Sequence, residues 1–278
     1  MPGIESIKKE YRDNKPTRKV SRKQRVSKRG KVHKEIVYGS YIEDLFEKHF
    51  VSSSMSHPGT ISAGMFGSGP RQMYLKYTGQ LIGNYDLRSH RYMGNGNSAH
   101  DRWEKDLGSL GILVGSEGNV HHPTLPIRGR YDSIISHPDK GKLLVELKTI
   151  GKKVEEMKEP QFAHIAQWAL YSDVLDIDTG WIIYENRETV EPFYFPLHRR
   201  GSDMDIYDFS GNLQYTMKSL LDDLYNNVKF AIWCVENDKF PKDKCDECVQ
   251  WGCKQPDSCM QLEAEKELIS LEGWLNRN

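Results

Sequence analysis

Alternating apolar and polar positions in the middle of the chain predict two strands. Residues 130–136 alternate and are rich in Tyr and Ile, and residues 143–150 form a second run of β-forming residues. The segment between them, residues 137–141, contains His, Pro, Asp, Lys and Gly and has the composition of a turn. The pattern therefore predicts a β-hairpin over residues 129–151.

Helical periodicity predicts helices on both sides of this hairpin. Apolar residues fall on one side of residues 39–50 and again on one side of residues 160–175. Residues 60–77 predict a helical turn, a glycine-rich break and a second helix opened by a proline. Residues 94–107 begin with Gly, Asn and Ser and continue as a helix, so that His100 is predicted in its first turn.

The remaining pattern predicts more strands and a long helix. Residues 118–126 predict an edge strand and loop, and residues 180–184 and 190–197 predict two strands joined by a polar turn. Beyond them, apolar residues recur every three or four positions, which predicts one long helix. Its apolar positions are Ile206, Phe209, Leu213, Met217, Leu220, Leu224, Val228 and Ile232.

Three charged residues lie within the otherwise apolar strands of the hairpin. Asp132 is in the first strand, whereas Glu146 and Lys148 are two apart in the second and therefore share a face. Burying such charges is costly without a partner, and a divalent cation is the usual partner of converging carboxylates. Pairing through the turn would bring Asp132 near the other two, where Lys148 could hold or polarise a water beside the cation.

Charge is distributed unevenly along a chain of 278 residues whose formal net charge is zero. Residues 1–34 hold 13 Lys and Arg and three acidic residues, which leaves 26 basic and 36 acidic residues elsewhere. Such a basic, apolar-poor tail favours disorder and attraction to phosphate backbones, or serves as a solubilising or address segment. No apolar run reaches membrane-spanning length, so a soluble, intracellular protein without a membrane partner is predicted.

All five cysteines lie between residues 234 and 259. This clustering indicates metal ligation in a reducing compartment and not a disulfide framework. The four thiolates after residue 240 could close a tetrahedral zinc site or hold an iron–sulfur cluster. They are Cys245, Cys248, Cys253 and Cys259.

The charged residues of the hairpin resemble a known nuclease signature. Asp132 followed after thirteen residues by Glu146-Leu147-Lys148 is similar to the D-(x)n-ExK signature of the PD-(D/E)xK nuclease superfamily. Three further segments, in the family's order, resemble its RecB-type exonuclease branch. They are Gly69-Pro70-Arg71 with Tyr74, the glycine-rich entry to His100, and Gln167-x-x-x-Tyr171.

The resemblance implies roles for these residues. His100, Asp132, Glu146 and the Leu147 carbonyl would bind Mg²⁺ or Mn²⁺, and Lys148 would act with Asp132 and Glu146 in catalysis. The substrate strand would be positioned by three further side chains, which are those of Gln167, Tyr171 and Arg71.

The cysteine segment resembles that of the branch members with a C-terminal cysteine cluster, including CRISPR-associated spacer-acquisition nucleases and phage exonucleases. In those proteins three C-terminal cysteines join one N-terminal cysteine around a four-iron cluster. Here the N-terminal position is Gly69. Three alternatives follow: Cys259 supplies the fourth ligand, the site binds zinc, or Cys234 participates. In each case the site is predicted to be structural.

The predicted fold class is α/β, with a mixed β-sheet flanked by helices as in restriction endonucleases and a small C-terminal cysteine-rich, metal-bound subdomain. The predicted organisation is a basic tail over 1–34, a helical segment over 35–93, the nuclease core over 94–200, and a C-terminal helix with the cysteine subdomain over 201–278.

The predicted function is that of a metal-dependent DNA exonuclease acting on single strands or ends in recombination, repair or phage DNA metabolism. A restriction-type endonuclease and a non-catalytic DNA-binding or assembly protein are the alternatives. The predicted partners are DNA and a recombination or replication protein. The predicted location is the cytoplasm of a bacterial or phage-infected cell.

Overall fold

The structure is a computed structural model that describes residues 58–81, 87–151, 154–243 and 256–277, together with Leu45. The fold discussed below lies within the unit Phe50–Asn278. The basic tail and the predicted helix over 39–50, apart from Leu45, lie outside the described residues. So do three of the four predicted cysteine ligands, Cys245, Cys248 and Cys253. None of the described helices is both long and apolar enough to cross a membrane.

Eight strands of the described chain form one mixed sheet. Its order is β1-β3-β4-β5-β6-β7-β8, and β2 pairs with β3 outside this path. The β1–β3 and β4–β5 pairs are parallel, and the others are antiparallel. The strands are β1 (Ile61–Ser62), β2 (Leu113–His121), β3 (Ile127–His137), β4 (Gly141–Ile150), β5 (Thr179–Asn186), β6 (Pro192–Arg200), β7 (Asp203–Tyr207) and β8 (Leu213–Met217).

Helices flank this sheet, as the predicted fold class requires. The first four are α1 (Pro70–Tyr77), α2 (Leu87–Ser109), α3 (Phe162–Leu175) and α4 (Leu220–Glu236). The largest apolar cluster joins α3 and α4 to the sheet, with Trp168 of α3 fully buried and donating through Nε1 to the Leu144 carbonyl at 3.2 Å. A second cluster packs α2 against β3, β4 and β5.

A third apolar cluster joins α1 and α4 to the C-terminal segment. There β9 (Lys239–Pro241) pairs in parallel with β10 (Glu267–Ile269). In the chain, β10 lies between α5 (Pro256–Glu265) and α6 (Leu271–Leu275). Arg71 ties α1 to this segment. Its buried guanidinium donates to the carbonyls of Pro241 and Lys242 and pairs with Glu263.

The central hairpin is confirmed by β3 and β4, which pair in antiparallel register from Ser133 with Val145 to His137 with Gly141. Gly141 has a φ of +71°, a value that a glycine adopts at no steric cost. The prediction of a helix opened by Pro70 is also confirmed, since Pro70 is the first residue of α1.

The long helix predicted from residue 206 is wrong in its first half. Residues 203–207 and 213–217 are β7 and β8, and the helix begins only at Leu220. A tight turn separates the strands: Gly211 has a φ of +82°, and the Asp208 carboxylate accepts the N–H groups of Ser210 and Asn212. Apolar residues on two strands and their turn happened to fall at helical spacing.

The boundaries predicted around His100 also need correction. Helix α2 begins at Leu87, so His100 lies well inside the helix and not in its first turn. The Gly- and Asn-rich stretch that suggested a helix entry is a largely exposed part of α2. The apolar contacts of α2 with the sheet are made by Ala99 and Leu107, which follow it in the helix. Strand β2 likewise begins at Leu113, earlier than the predicted edge strand.

Gly180 provides a test of the parallel β4–β5 pairing. A Cβ at this position would collide with the Leu144 backbone carbonyl, its neighbour in register. We expect Gly180→Ala to lower the free energy of unfolding by about 3 kcal/mol, since backbone atoms of two central strands cannot move apart cheaply. Gly64→Ala is the control, because a Cβ there meets no atom within 4 Å. Equal urea midpoints for the two variants would contradict the register.

Candidate active site

Strands β3 and β4 separate at the centre of the sheet and leave a fork. Strand β2 occupies one edge of β3 over residues 128–135, so β1, at residues 127–128, and β4, from Ser133 onward, share the other edge. Residues 129–132 therefore have no strand partner on that second edge. Backbone N–H groups at such a gap need other acceptors, because leaving them buried and unpaired is costly.

Two side chains satisfy the backbone at this fork. The Asp132 carboxylate accepts the N–H of Leu147 at 2.7 Å, and the Tyr171 hydroxyl accepts the N–H of Arg130 at 3.2 Å. In an extended strand the N–H and C=O of a residue point to the same edge. The Leu147 carbonyl therefore faces the fork together with Asp132.

Glu146 is fully buried and has one strong partner. Its Oε1 accepts from Lys148 Nζ at 2.6 Å, whereas its Oε2 is buried without a hydrogen-bond partner in the described structure. Burial first, and then the charge of Asp132, raise the pKa of Glu146 to about 7, against the opposing effect of Lys148. A buried carboxylate with an open oxygen is a group that a cation would satisfy.

Lys148 is held in its ammonium form by its neighbours. Burial would lower the pKa of Lys148, but the carboxylates of Glu146 and Asp132 raise it overall. The same burial raises the pKa of Asp132 to about 6, with Lys148 and the Leu147 N–H acting in the opposite direction. The predicted triplet is thus one electrostatic unit.

His100 of α2 meets two carboxylates at the fork. Its Nδ1 lies 3.4 Å from Asp132 Oδ1 and 3.5 Å from Glu117 Oε1, and one ligand atom from each of the three residues lies within 4.8 Å of the others. One imidazole nitrogen with carboxylate oxygens is a donor set suited to Mn²⁺ or Mg²⁺. The residues therefore fit a divalent cation.

Glu117 is the member of this site that the sequence did not reveal. It lies on β2 between the residues paired with Tyr131 and Ser133, and so opposite Asp132. Its φ of +49° is unusual for a residue other than glycine, and its Oε2 lies 2.5 Å from Arg130 Nε. A single Glu in a polar strand gave no signal, because its importance comes from the register.

Gln167 and Tyr171 meet one turn apart on α3, as predicted. Gln167 Nε2 donates to the Tyr171 hydroxyl at 3.2 Å. Burial raises the pKa of Tyr171 to about 12, so its ring stays neutral. Gly129 makes room for this hydroxyl, since a Cβ there would lie 2.6 Å from it. Tyr171 is buried and holds the backbone of β3, whereas Gln167 is half-buried beside it.

Arg71 is not brought to the fork. It is 2% exposed, its guanidinium is bonded to the C-terminal segment, and it lies over the Phe240 ring at 5.0 Å. The structure thus uses Arg71 in packing. Of the cysteines, Cys234 and Cys259 lie buried in the same apolar cluster, where burial raises the pKa of Cys234 to about 12.

Comparisons with known proteins give only remote structural similarity. No protein-family model matches the chain, and no curated protein matches it. Similar solved structures include SSO0001, at 16% identity and a TM-score of 0.41, over 71% of this chain and 85% of the other.

An alkaline exonuclease from Laribacter hongkongensis, LHK-Exo, is similar at 12% identity and a TM-score of 0.46, over 70% of this chain and 93% of that one. The same enzyme in complex with dAMP gives 12% identity and a TM-score of 0.43, over 65% and 89%. The function proposed below therefore rests on the site geometry of this chain and on the motifs in its sequence.

Proposed function

We propose that this protein is a divalent-metal-dependent nuclease that hydrolyses phosphodiester bonds of DNA. The observation that carries the proposal is the fork, where His100, Glu117 and Asp132 converge beside the Glu146–Lys148 pair. A purely structural role would not require several ionisable groups with opposed charges in the middle of a sheet, since burying them is costly. Perturbed carboxylates around an open donor set are typical of catalytic sites.

The cation would be held by His100, Asp132 and Glu117, with Glu146 and the Leu147 carbonyl as further candidate ligands. Mg²⁺ or Mn²⁺ bound there would neutralise charge that develops on the phosphate oxygens. The fold would fix these ligand groups before substrate binds, because Asp132 already accepts a hydrogen bond from the backbone of β4.

The side chains around the cation site would handle water and substrate. Lys148 has three N–H donors and gives one to Glu146, so two remain for the attacking water or a phosphate oxygen. Gln167 would contact the DNA strand, and the hydrogen bond from Gln167 to the buried Tyr171 hydroxyl would hold Gln167 in position. Arg130, which is 63% exposed at its side chain, is a further candidate for phosphate contact.

We infer from the family resemblance of the sequence that the enzyme is an exonuclease acting on ends or single strands. The basic tail over residues 1–34 would add affinity for phosphate backbones. The cysteine segment would hold a structural zinc or an iron–sulfur cluster and stabilise the C-terminal part of the fold. An endonuclease remains the alternative that cleavage of circular DNA would favour.

Cleavage of defined DNA substrates tests the proposed function. Full-length protein purified without oxygen would be incubated with end-labelled linear DNA and covalently closed circles, with Mg²⁺, Mn²⁺ or chelator. We expect metal-dependent, progressive loss of linear DNA only, and no loss with Asp132→Asn. Cutting of circles would replace the exonuclease proposal, and a folded, DNA-binding protein without any cleavage would overturn the nuclease proposal.

A further inference from the structure

A cleft of about 580 Å³, lined by polar and apolar residues, opens directly beside Lys148. It follows the end of β4 from Lys148 to Gly151 and is bordered by the start of α3 and by Arg187 after β5. Its volume falls in the range of pockets that bind small organic ligands. None of the roles assigned above to the fork uses the residues on its far side.

Arg187 is fixed at the mouth of this cleft, and most of its donors have no partner among the described residues. Its backbone N–H donates to the Ile150 carbonyl at 2.9 Å, and its Nε and Nη2 donate to the Thr149 carbonyl at 3.2 and 3.1 Å. Its guanidinium also lies over the Tyr92 ring at 4.6 Å. A guanidinium has five N–H groups, so three remain.

No acidic side chain among the described residues pairs with this guanidinium. Arg187 is exposed, and within the part of the chain that the structure describes it forms no ion pair. By contrast, Arg102, Arg199 and Arg200 each pair with a carboxylate. An anchored arginine with open donors and no counter-charge suits a phosphate oxygen.

His164 lines the cleft and is its second candidate donor. The Tyr184 hydroxyl accepts the Gln161 N–H at 2.9 Å and lies 2.7 Å from His164 Nδ1. In one of the two neutral tautomers of His164 this hydroxyl donates to Nδ1. Burial first, and then the charge of Lys148, lower the pKa of His164 to about 3, so the ring is neutral. A neutral ring that accepts at Nδ1 carries its proton at Nε2.

These donors continue the line of polar side chains that starts at the fork. His164 lies one turn before Gln167 on α3, and Thr149, which anchors Arg187, directly follows Lys148 on β4. Lys148, His164 and Arg187 all line the cleft, and Gln167 lies one turn further along α3 than His164. A DNA strand whose scissile phosphate lies at Lys148 would extend into the cleft.

We propose that the cleft is a second phosphate subsite, in which Arg187 and His164 bind a phosphodiester of the substrate strand adjacent to the scissile one. The inference rests on the proposed function, because it assumes that DNA is the ligand at the fork. The subsite would select a strand of at least two nucleotides and hold it in register with Lys148. Arg187 would be a positioning residue and would take no part in bond breaking.

Binding in the absence of divalent cations tests the subsite separately from catalysis. We expect Arg187→Gln to weaken binding of a short single-stranded oligonucleotide and to flatten the slope of log K against log salt by about 0.7, the value for one phosphate contact. Arg187→Lys should retain the slope, because it keeps the charge. Arg277→Gln, an exposed arginine on the C-terminal segment, is the matched control and should leave the slope unchanged.

His164 is tested by a pair of variants. His164→Gln keeps an N–H donor of similar reach and should retain most of the affinity, whereas His164→Phe should lose it. Thermal unfolding of both variants, followed by circular dichroism, separates this effect from misfolding. Equal affinity of the two folded variants would remove His164 from the subsite.

A substrate with one neutral linkage locates the contact. A methylphosphonate at the linkage next to the first scissile bond should slow the first cleavage by wild-type protein. It should not slow cleavage by Arg187→Gln any further, because that variant already lacks the contact. Unchanged binding, salt slope and cleavage in Arg187→Gln would overturn the subsite and leave the nuclease proposal intact. If Arg187→Gln flattens the salt slope but the wild-type protein cleaves no DNA, the cleft still binds a phosphate of DNA, and the nuclease proposal is refuted.

Discussion

Lys148→Met is expected to reduce the single-turnover rate of DNA cleavage by at least about 100-fold while leaving DNA binding nearly unchanged. The substitution keeps the length of the side chain but removes the ammonium that bonds Glu146 at 2.6 Å and faces the fork. The attacking water would lose a donor, and Glu146 would take up a proton to remain buried. Single-turnover cleavage of labelled linear DNA measures the effect.

Lys142→Met is the matched control for this experiment. Lys142 lies on the same strand and, being six residues away, on the same face, but it is exposed at the far end of β4. Its loss should change the rate less than about twofold, since an exposed lysine contributes little. A Lys148→Met enzyme as active as Lys142→Met would exclude Lys148 from the chemistry.

The second large effect is a pH-dependent stability that a divalent cation reverses. Asp132 and Glu146 have pKa values of about 6 and about 7 in the folded chain, above their ordinary values. Both therefore bind protons more tightly when folded. The stabilisation that their protonation provides is full below about pH 4 and is lost, by several kcal/mol, as the pH rises through 6 to 7.

Added Mg²⁺ or Mn²⁺ should restore this stability, because it binds the deprotonated carboxylates. We therefore expect a larger increase of Tm on adding the cation at pH 8 than at pH 5. The measurement is thermal unfolding across pH with and without the cation. Glu146→Gln should flatten the pH profile without cation, and a wild-type cation effect independent of pH would contradict the assignment.

The local part of the site could be predicted from sequence. Asp132, Glu146 and Lys148 belong to one hairpin, and Gln167 and Tyr171 to one helix, so that spacing alone defines their neighbourhood. The periodicity of a strand or helix fixes which residues a few positions apart share a face, and the β3–β4 hairpin and α3 both follow these periodicities.

The non-local part of the site could not be predicted. Glu117 enters through the register of β2 against β3, and Arg187 through the parallel pairing of β5 with β4. Neither pairing leaves a mark in the sequence around these residues. The long predicted helix failed for a related reason: the spacing of apolar residues carried no information about the turn at Gly211, which makes residues 203–217 a hairpin.

The buried Arg71 has a consequence for how the chain folds. Its bonds to Pro241 and Glu263 join residues separated by 170 and 192 positions. Contacts of such long range form late, because closing the intervening loop costs entropy before any bond is made. During synthesis, Arg71 of α1 therefore cannot form these contacts until the C-terminal segment has been made. Until then its guanidinium, which is buried in the folded protein, remains solvated by water.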